Sequence, residues 1–362
     1  MNTIPTTFND LIPSYTAVGG TERKASTGLS AVILNRGGRY PRYNLFNEMG
    51  KAGFDYVLSM EGSFSRYDLE ALSGDFPFVR FILFQNPVSR GEEINVAAAE
   101  LSSPLFFVLW NDMHLLRGGG AERMAERAAS VRQITQAQDA ESKSAYKRLC
   151  TVPLIQDGRS ETMPTLITPA LISEKKSAIS IKTIPSFPHR EGASSLYPFD
   201  GIGIYDKERF MRLGGFDPSI KSFYWQLMDF GFRSSLWGEK IEVTKLIKLS
   251  YQGEVPQKDS TAENSYKRFF LKNLAPMFRG DYAHIPLRRF PGYYRRMGSD
   301  LSSAWAEFSA TREWVRINRY RFTSDARAIV ERWESLDVSG IESDDDISPN
   351  EPLDEMRQED LQ

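Results

Sequence analysis

Three apolar runs in the first third of the chain end in side chains able to bind an ion or a phosphate. Ser30 to Leu34 (SAVIL) stops at Asn35-Arg36-Gly37-Gly38, Asp55 to Met60 (DYVLSM) at Glu61-Gly62-Ser63, and Leu105 to Trp110 (LFFVLW) at Asn111-Asp112. The carboxylates Glu61 and Asp112, beside backbone amides of Gly-containing turns, suit a nucleotide with a divalent cation. A hard cation such as Mg2+ or Mn2+ takes oxygen ligands and bridges diphosphate oxygens, so it needs few protein carboxylates. His114, two residues past Asp112, is a candidate further ligand or an ordinary loop residue. Asp112 has a plain alternative too, since loops are commonly polar and an acid there can simply solvate the turn.

For those ends to meet, the three runs must be strands in one sheet with the same direction. A short continuous apolar run bounded by a proline, here Pro104, suits a strand buried on both faces. Open α/β sheets bind ligands at the carboxyl ends of such strands. Helical patterns fall between them. Leu45, Phe46 and Met49 share one face after Pro41 and the pattern closes at Gly53. Tyr67, Leu69 and Leu72 mark a short helix before a strand at Phe78 to Phe84. Ser89-Arg90-Gly91-Glu92 has capping-box spacing for a helix reaching about Leu101. This alternation predicts an α/β, Rossmann-like sheet, mixed but mostly parallel and flanked by helices.

Further along, Gly118-Gly119-Gly120 breaks the chain and a long polar helix is predicted from Ala121 to about Arg148. Leu166 to Ile172 and Ala178 to Ile184 read as strands, and Leu196 to Tyr205 (LYPFDGIGIY) as an apolar run interrupted by Gly201 and Gly203. Lys207 to Leu213 is a short helix, Gly214 to Pro218 a sharp turn, and Ser222 to Leu236 a helix. The predicted organisation is an irregular lead-in over 1–27, an α/β domain over 28–255, a helical extension over 256–336 and an acidic, disordered tail over 337–362. Arginine and aromatics interleave in 266–333. That alphabet fits helices packed on the sheet with arginines reaching water, or peripheral contact with an anionic membrane. The spread of the arginines favours packing.

Composition narrows the class. A chain of 362 residues with 41% hydrophobic content can bury a large core, and a net charge of −2 argues against a globally basic nucleic-acid binder, local patches aside. The single cysteine, Cys150, excludes an internal disulfide framework. No run approaches the roughly 20 apolar residues of a membrane span. The N-terminal stretch has no secretory pattern, so a cytoplasmic protein is expected, with the inner membrane face as an option.

Residues 28–255 resemble the family-two glycosyltransferases, inverting enzymes of the A-type fold that use nucleotide-sugar donors. SAVILNR resembles the family's first strand and donor loop. MEGS, Met60 to Ser63, is similar to its Asp-Asp-Gly-Ser nucleotide contact, and WND, Trp110 to Asp112, to its Asp-x-Asp with the last acid kept. GGFDPSIKSFYWQLMDFGFR, Gly214 to Arg233, is similar to its Gly-Gly-Phe-Asp-Glu turn and the Asp-containing helix that follows.

The resemblance implies roles. Asn35 and Glu61 would contact the nucleoside, with Arg36, Ser63 and Asn111 on the same donor side. Asp112, with His114, would hold Mg2+ or Mn2+. Gly201, Gly203, Trp225 and Gln226 would lie beside the sugar and acceptor. The family's acidic pair falls on Gln226-Leu227, which leaves Asp229, about 200° further round the helix, as the nearest candidate base. Asp229 and Arg233 also have the i,i+4 spacing of a simple ion pair. The implied activity is inverting sugar transfer to a glycan or lipid-linked acceptor in polysaccharide synthesis. The rivals are a catalytically degenerate binding protein and a nucleotidyltransferase, whose loop Asn35-Arg36-Gly37-Gly38-Arg39 faintly echoes.

Overall fold

A computed structural model describes residues 13–21, 26–36, 42–62, 69–117, 119–136, 148–175, 178–253, 264–297 and 300–341. In chain order the first half holds β1 (Tyr15–Gly19), β2 (Leu29–Leu34), α1 (Arg42–Ala52), β3 (Val57–Glu61), α2 (Leu69–Asp75), β4 (Val79–Phe84), α3 (Arg90–Glu100), β5 (Leu105–Trp110), β6 (Met113–Arg117) and α4 (Gly120–Gln136). Every residue of β2, β3 and β5 is buried, as continuous apolar runs covered on both faces should be. The capping box that starts α3 is complete. The Ser89 hydroxyl accepts from the Glu92 amide, and the Glu92 carboxylate accepts from the Ser89 amide at 2.9 Å.

The second half holds β7 (Arg148–Gln156), β8 (Leu166–Lys175), β9 (Ala178–Ser186), β10 (Gly203–Asp206), α5 (Lys207–Leu213), α6 (Phe223–Leu236) and β11 (Lys240–Tyr251). Then come α7 (Asn264–Phe269), which continues as a π-turn over Phe270–Leu274, the hairpin β12 (Met277–Arg279) and β13 (Tyr282–His284), α8 (Phe290–Met297), α9 (Leu301–Asn318) and α10 (Ala326–Ile341).

Nine strands form the central sheet in the order β1-β4-β3-β2-β5-β10-β7-β11-β6. β4, β3, β2 and β5 pair in parallel. β10 runs against both of its neighbours, β7 and β11 are parallel, and β1 and β6 close the two edges antiparallel. This is the mixed, mostly parallel α/β sheet predicted from the sequence.

Several local expectations give way. Part of the lead-in is ordered pairing: Tyr15 to Gly19 lies against β4, in register from Tyr15 with Phe84 to Gly19 with Arg80. Of the helix predicted from Ala121 to about Arg148, Gly120–Gln136 is described as helix, residues 137–147 lie outside the described set, and Arg148 opens β7 instead. Pro153 hid that strand, because proline cannot donate to a ladder and argues against a central position. It is accommodated where β11 slips register, between Thr244 and Lys248. β11 itself followed α6 without being foreseen. The extension carries a β-hairpin besides its helices, and residues 342–362 of the acidic tail lie outside the described set.

Candidate functional site

β2 lies between β3 and β5, so its carboxyl end stands between theirs. The polar stops meet as one hydrogen-bonded chain. Glu61 accepts from the Ser59 hydroxyl at 2.8 Å and from the Asn35 carboxamide at 3.3 Å. The Asn35 oxygen accepts from Asn111 Nδ2 at 3.1 Å, and the Asn111 oxygen accepts from the Arg36 backbone amide at 3.1 Å. Arg36 Nε then lies 3.1 Å from an Asp112 carboxylate oxygen. Glu61 and Asp112 thus share one rim. Ser63 lies outside the described residues.

Arg36 is the centre of this rim. Its guanidinium carbon sits 3.7 Å from the centroid of the Trp110 ring, within cation–π range. Its Nη2 pairs with Asp200, whose carboxylate also accepts from the Tyr251 hydroxyl at 2.8 Å. Trp110 Nε1 donates to the Asp200 carbonyl at 3.0 Å and fixes that loop from below. Asp200 has φ 55°, the left-handed region that costs a non-glycine residue about 1–2 kcal/mol. Such outliers persist where surrounding contacts enforce them, commonly at functional sites. Burial raises the Asp112 pKa, and Arg36 only partly offsets the rise. The Tyr251 hydroxyl is raised by burial and then by the Asp200 charge, so it stays a neutral donor.

Neither Asp200 nor Tyr251 was singled out from the sequence as a member of this rim. The available signal was an acid placed just before Gly201 inside an apolar run. Sheet pairing is what brings β11's last residue over the end of β5.

A divalent cation does not fit these residues as they stand. Asp112 and Asp200 supply oxygen ligands, yet the space both carboxylates face is filled by a guanidinium. Two unit charges about 4 Å apart at an effective dielectric of about 20 interact by about 4 kcal/mol, so a divalent ion there meets roughly twice that repulsion. Among the described residues no group of three His, Cys, Asp or Glu side chains is placed to hold a metal. The Asp112–His114 ligand pair does not form. His114 is turned to Glu48 of α1, with Nδ1 3.0 Å from its carboxylate, because alternation along β6 aims it toward that helix.

The residues proposed for the acceptor side and for the base do other work. Asp229 is fully buried, paired with Arg233 at 2.8 Å and with Lys272 at 3.0 Å, and accepts from Asn273 at 2.8 Å. Burial alone would raise its pKa, but Lys272 and Arg233 outweigh it and hold the carboxylate below its ordinary value. A base needs reach to a substrate hydroxyl and an affinity for its proton. Asp229 has neither. The i,i+4 pair with Arg233 is the reading that holds, inside the protein rather than on its surface.

Trp225 packs against the Tyr224, Tyr266 and Phe269 rings at 4.9–5.3 Å and locks α6 to α7. Gln226 is fully buried, accepts from the Gly91 amide at 3.0 Å and donates to the Ser89 hydroxyl at 2.7 Å, so it ties α6 to the start of α3. Gly201 and Gly203 are small for internal reasons. A Cβ on Gly201 would stand 2.9 Å from Phe223, and one on Gly203 2.5 Å from the Cys150 sulfur.

The start of α3 adds a pair the sequence did not single out. Arg90 lies 5.5 Å from the Trp110 ring centroid and donates to Glu93 at 2.7 Å. Burial pushes Glu93 up to about 7 despite Arg90, with the Glu61 charge adding to the rise. Its Oε2 has no hydrogen-bond partner among the described residues. Two guanidinium groups therefore approach one indole ring from the rim and from the helix.

No family model and no curated protein matches this sequence. Solved structures do align with it. A structure of GalNAc-T7 with UDP, GalNAc and Mn2+ aligns at TM-score 0.50 and 12% identity, covering 86% of this chain and 58% of that one. The chain thus spans less than two thirds of that protein's length. TarS 1–349 from S. aureus aligns at TM-score 0.39 and 9% identity over 78% of this chain and 70% of its own. HddC from Yersinia pseudotuberculosis aligns at TM-score 0.27 and 15% identity over 51% of this chain and 79% of its own. At such identities the likeness is one of architecture: a mixed, mostly parallel sheet between helices, of the glycosyltransferase A type.

Proposed function

We propose that the chain is a glycosyltransferase that moves a sugar, with inversion, from a nucleoside-diphosphate donor to a glycan or lipid-linked acceptor. The observation that carries this reading is the unbroken polar rim from Glu61 through Asn35, Asn111 and Arg36 to Asp112 at the carboxyl ends of three parallel strands. On this reading Glu61 and Asn35 receive the nucleoside, and Arg36 and Asn111 face the diphosphate. Asp112 and Asp200 orient Arg36 rather than touching the sugar.

A thermal-shift panel of UDP, GDP, CDP and TDP tests it. One nucleoside diphosphate should stabilise the protein, and Asn35→Ala or Glu61→Ala should abolish the shift. No shift from any of them would end the donor reading, and pyrophosphate released from a nucleoside triphosphate would favour a nucleotidyltransferase. A retained binding protein without activity is the second reading, favoured by the loss of Asp229 as a base. Donor binding without sugar transfer to any glycan, in the product's NMR spectrum, would decide for it.

Peripheral membrane contact, and with it a place at the inner face of the membrane, belongs to the same proposal. Leu301 and Trp305, one turn apart on α9, are 57% and 48% exposed, and the Trp305 ring packs on Phe290 of α8, as does Tyr294. Among the described residues no helix is long and apolar enough to cross a membrane. Co-sedimentation with anionic vesicles should fall in Trp305→Ser; equal recovery of both proteins would remove the membrane from the account.

A further inference from the structure

We infer that Arg36 is the site's built-in cation, taking the charge of the donor diphosphate where a divalent metal would otherwise stand, so that donor binding is independent of metal. The inference rests on the donor-binding reading above. A guanidinium is planar, always charged, and presents five N–H donors that match phosphate oxygens in pairs. In Arg36 only one side of that fork is spent. Nε is turned to Asp112, and Nη2 to Asp200 and the Tyr251 hydroxyl. Nη1, with two N–H groups, has no hydrogen-bond partner among the described residues.

The group cannot easily leave its place. Trp110 covers one face at 3.7 Å, and the carboxylates that hold it come from two different elements, the turn after β5 and the loop before β10. Asp112 and Asp200 together carry one more negative charge than Arg36 supplies. Arg90, 5.5 Å from the same indole centroid, brings a second guanidinium to the Trp110 ring. The result is a fixed, partly exposed cation with unspent donors at the edge where a diphosphate would lie; the Arg36 side chain is 17% exposed.

Isothermal titration of the full chain with the nucleoside diphosphate that stabilises it, in excess EDTA and then in Mn2+ or Mg2+, tests the inference without any variant. The expected result is the same Kd in each, within about threefold. Arg36→Gln should weaken binding by about tenfold or more, the loss of one charge-assisted contact, while Arg36→Lys keeps part of it. Mn2+ should partly restore Arg36→Gln, because the two freed carboxylates then form the oxygen site that the wild type denies. Wild-type binding that disappears in EDTA and returns with Mn2+ would overturn the inference and leave the donor reading standing. No binding of any nucleoside diphosphate, with or without metal, would overturn both.

Discussion

Two clusters in this protein are built from the same parts, a pair of aspartates around cationic side chains, and they are put to opposite uses. At the rim, Asp112 and Asp200 hold one guanidinium, and all three side chains keep some exposure, 6%, 16% and 17%. Inside, Asp217 and Asp229 share Lys272, with Arg268 on one and Arg233 and Asn273 on the other. The inner carboxylates and Lys272 are fully buried. In the inner cluster all four carboxylate oxygens are paired within the fold, and it joins the turn after α5, α6, and α7 with the π-turn that continues it. The rim cluster keeps unspent donors. Desolvation explains the division of labour. A buried charge must have every partner supplied by the fold, whereas a charge at an edge can wait for a ligand.

The largest expected effect is in the inner cluster. Asp229→Asn leaves Lys272 and Arg233 short of one charge in a dry environment, and should cost about 3–5 kcal/mol in denaturant unfolding. A loss of transfer activity without a stability change would instead return Asp229 to the catalytic centre and dissolve the contrast.

Next in size is the pH response of Glu93. Its carboxyl is raised from 4.5 to about 7, first by burial, so the fold favours the protonated form. That contribution is fully present below the ordinary Glu value and is lost as pH rises through about 7. Wild-type stability should therefore fall between about pH 5 and pH 8 by up to about 3 kcal/mol more than that of Glu93→Gln. Parallel melting-temperature profiles for the two proteins would show that Glu93 is not held in this way.

The smallest stability effect is expected at the rim. Arg36→Gln should cost less unfolding free energy than Asp229→Asn, because its pairs keep some exposure, while donor binding weakens by about tenfold or more. If Arg36→Gln unfolds as readily as Asp229→Asn, the rim is a structural cluster too and the comparison fails.

Much of the frame could be read directly. β2, β3 and β5 declared themselves as apolar runs with polar stops, and the Ser89 to Glu92 spacing became a complete capping box. Strand β7 did not, because Pro153 breaks the pattern that marks a central strand, and the register slip that admits it is a property of the neighbouring β11. Of the site, Glu61, Asn35, Arg36, Asn111 and Asp112 were visible as strand ends. Asp229 was chosen as an acid on the right helix, and nothing local announced Lys272, 43 residues further on, as its partner.

The sequence by itself determined the class of fold and the edge at which the polar strand ends would gather, because periodicity and abrupt polar stops are local properties of the chain. Only the tertiary structure decided which carboxylates stand at the rim beside a guanidinium and which are buried against a lysine. That choice depends on burial and on partners 164 residues apart, as for Arg36 and Asp200, and an isolated aspartate carries no mark of either.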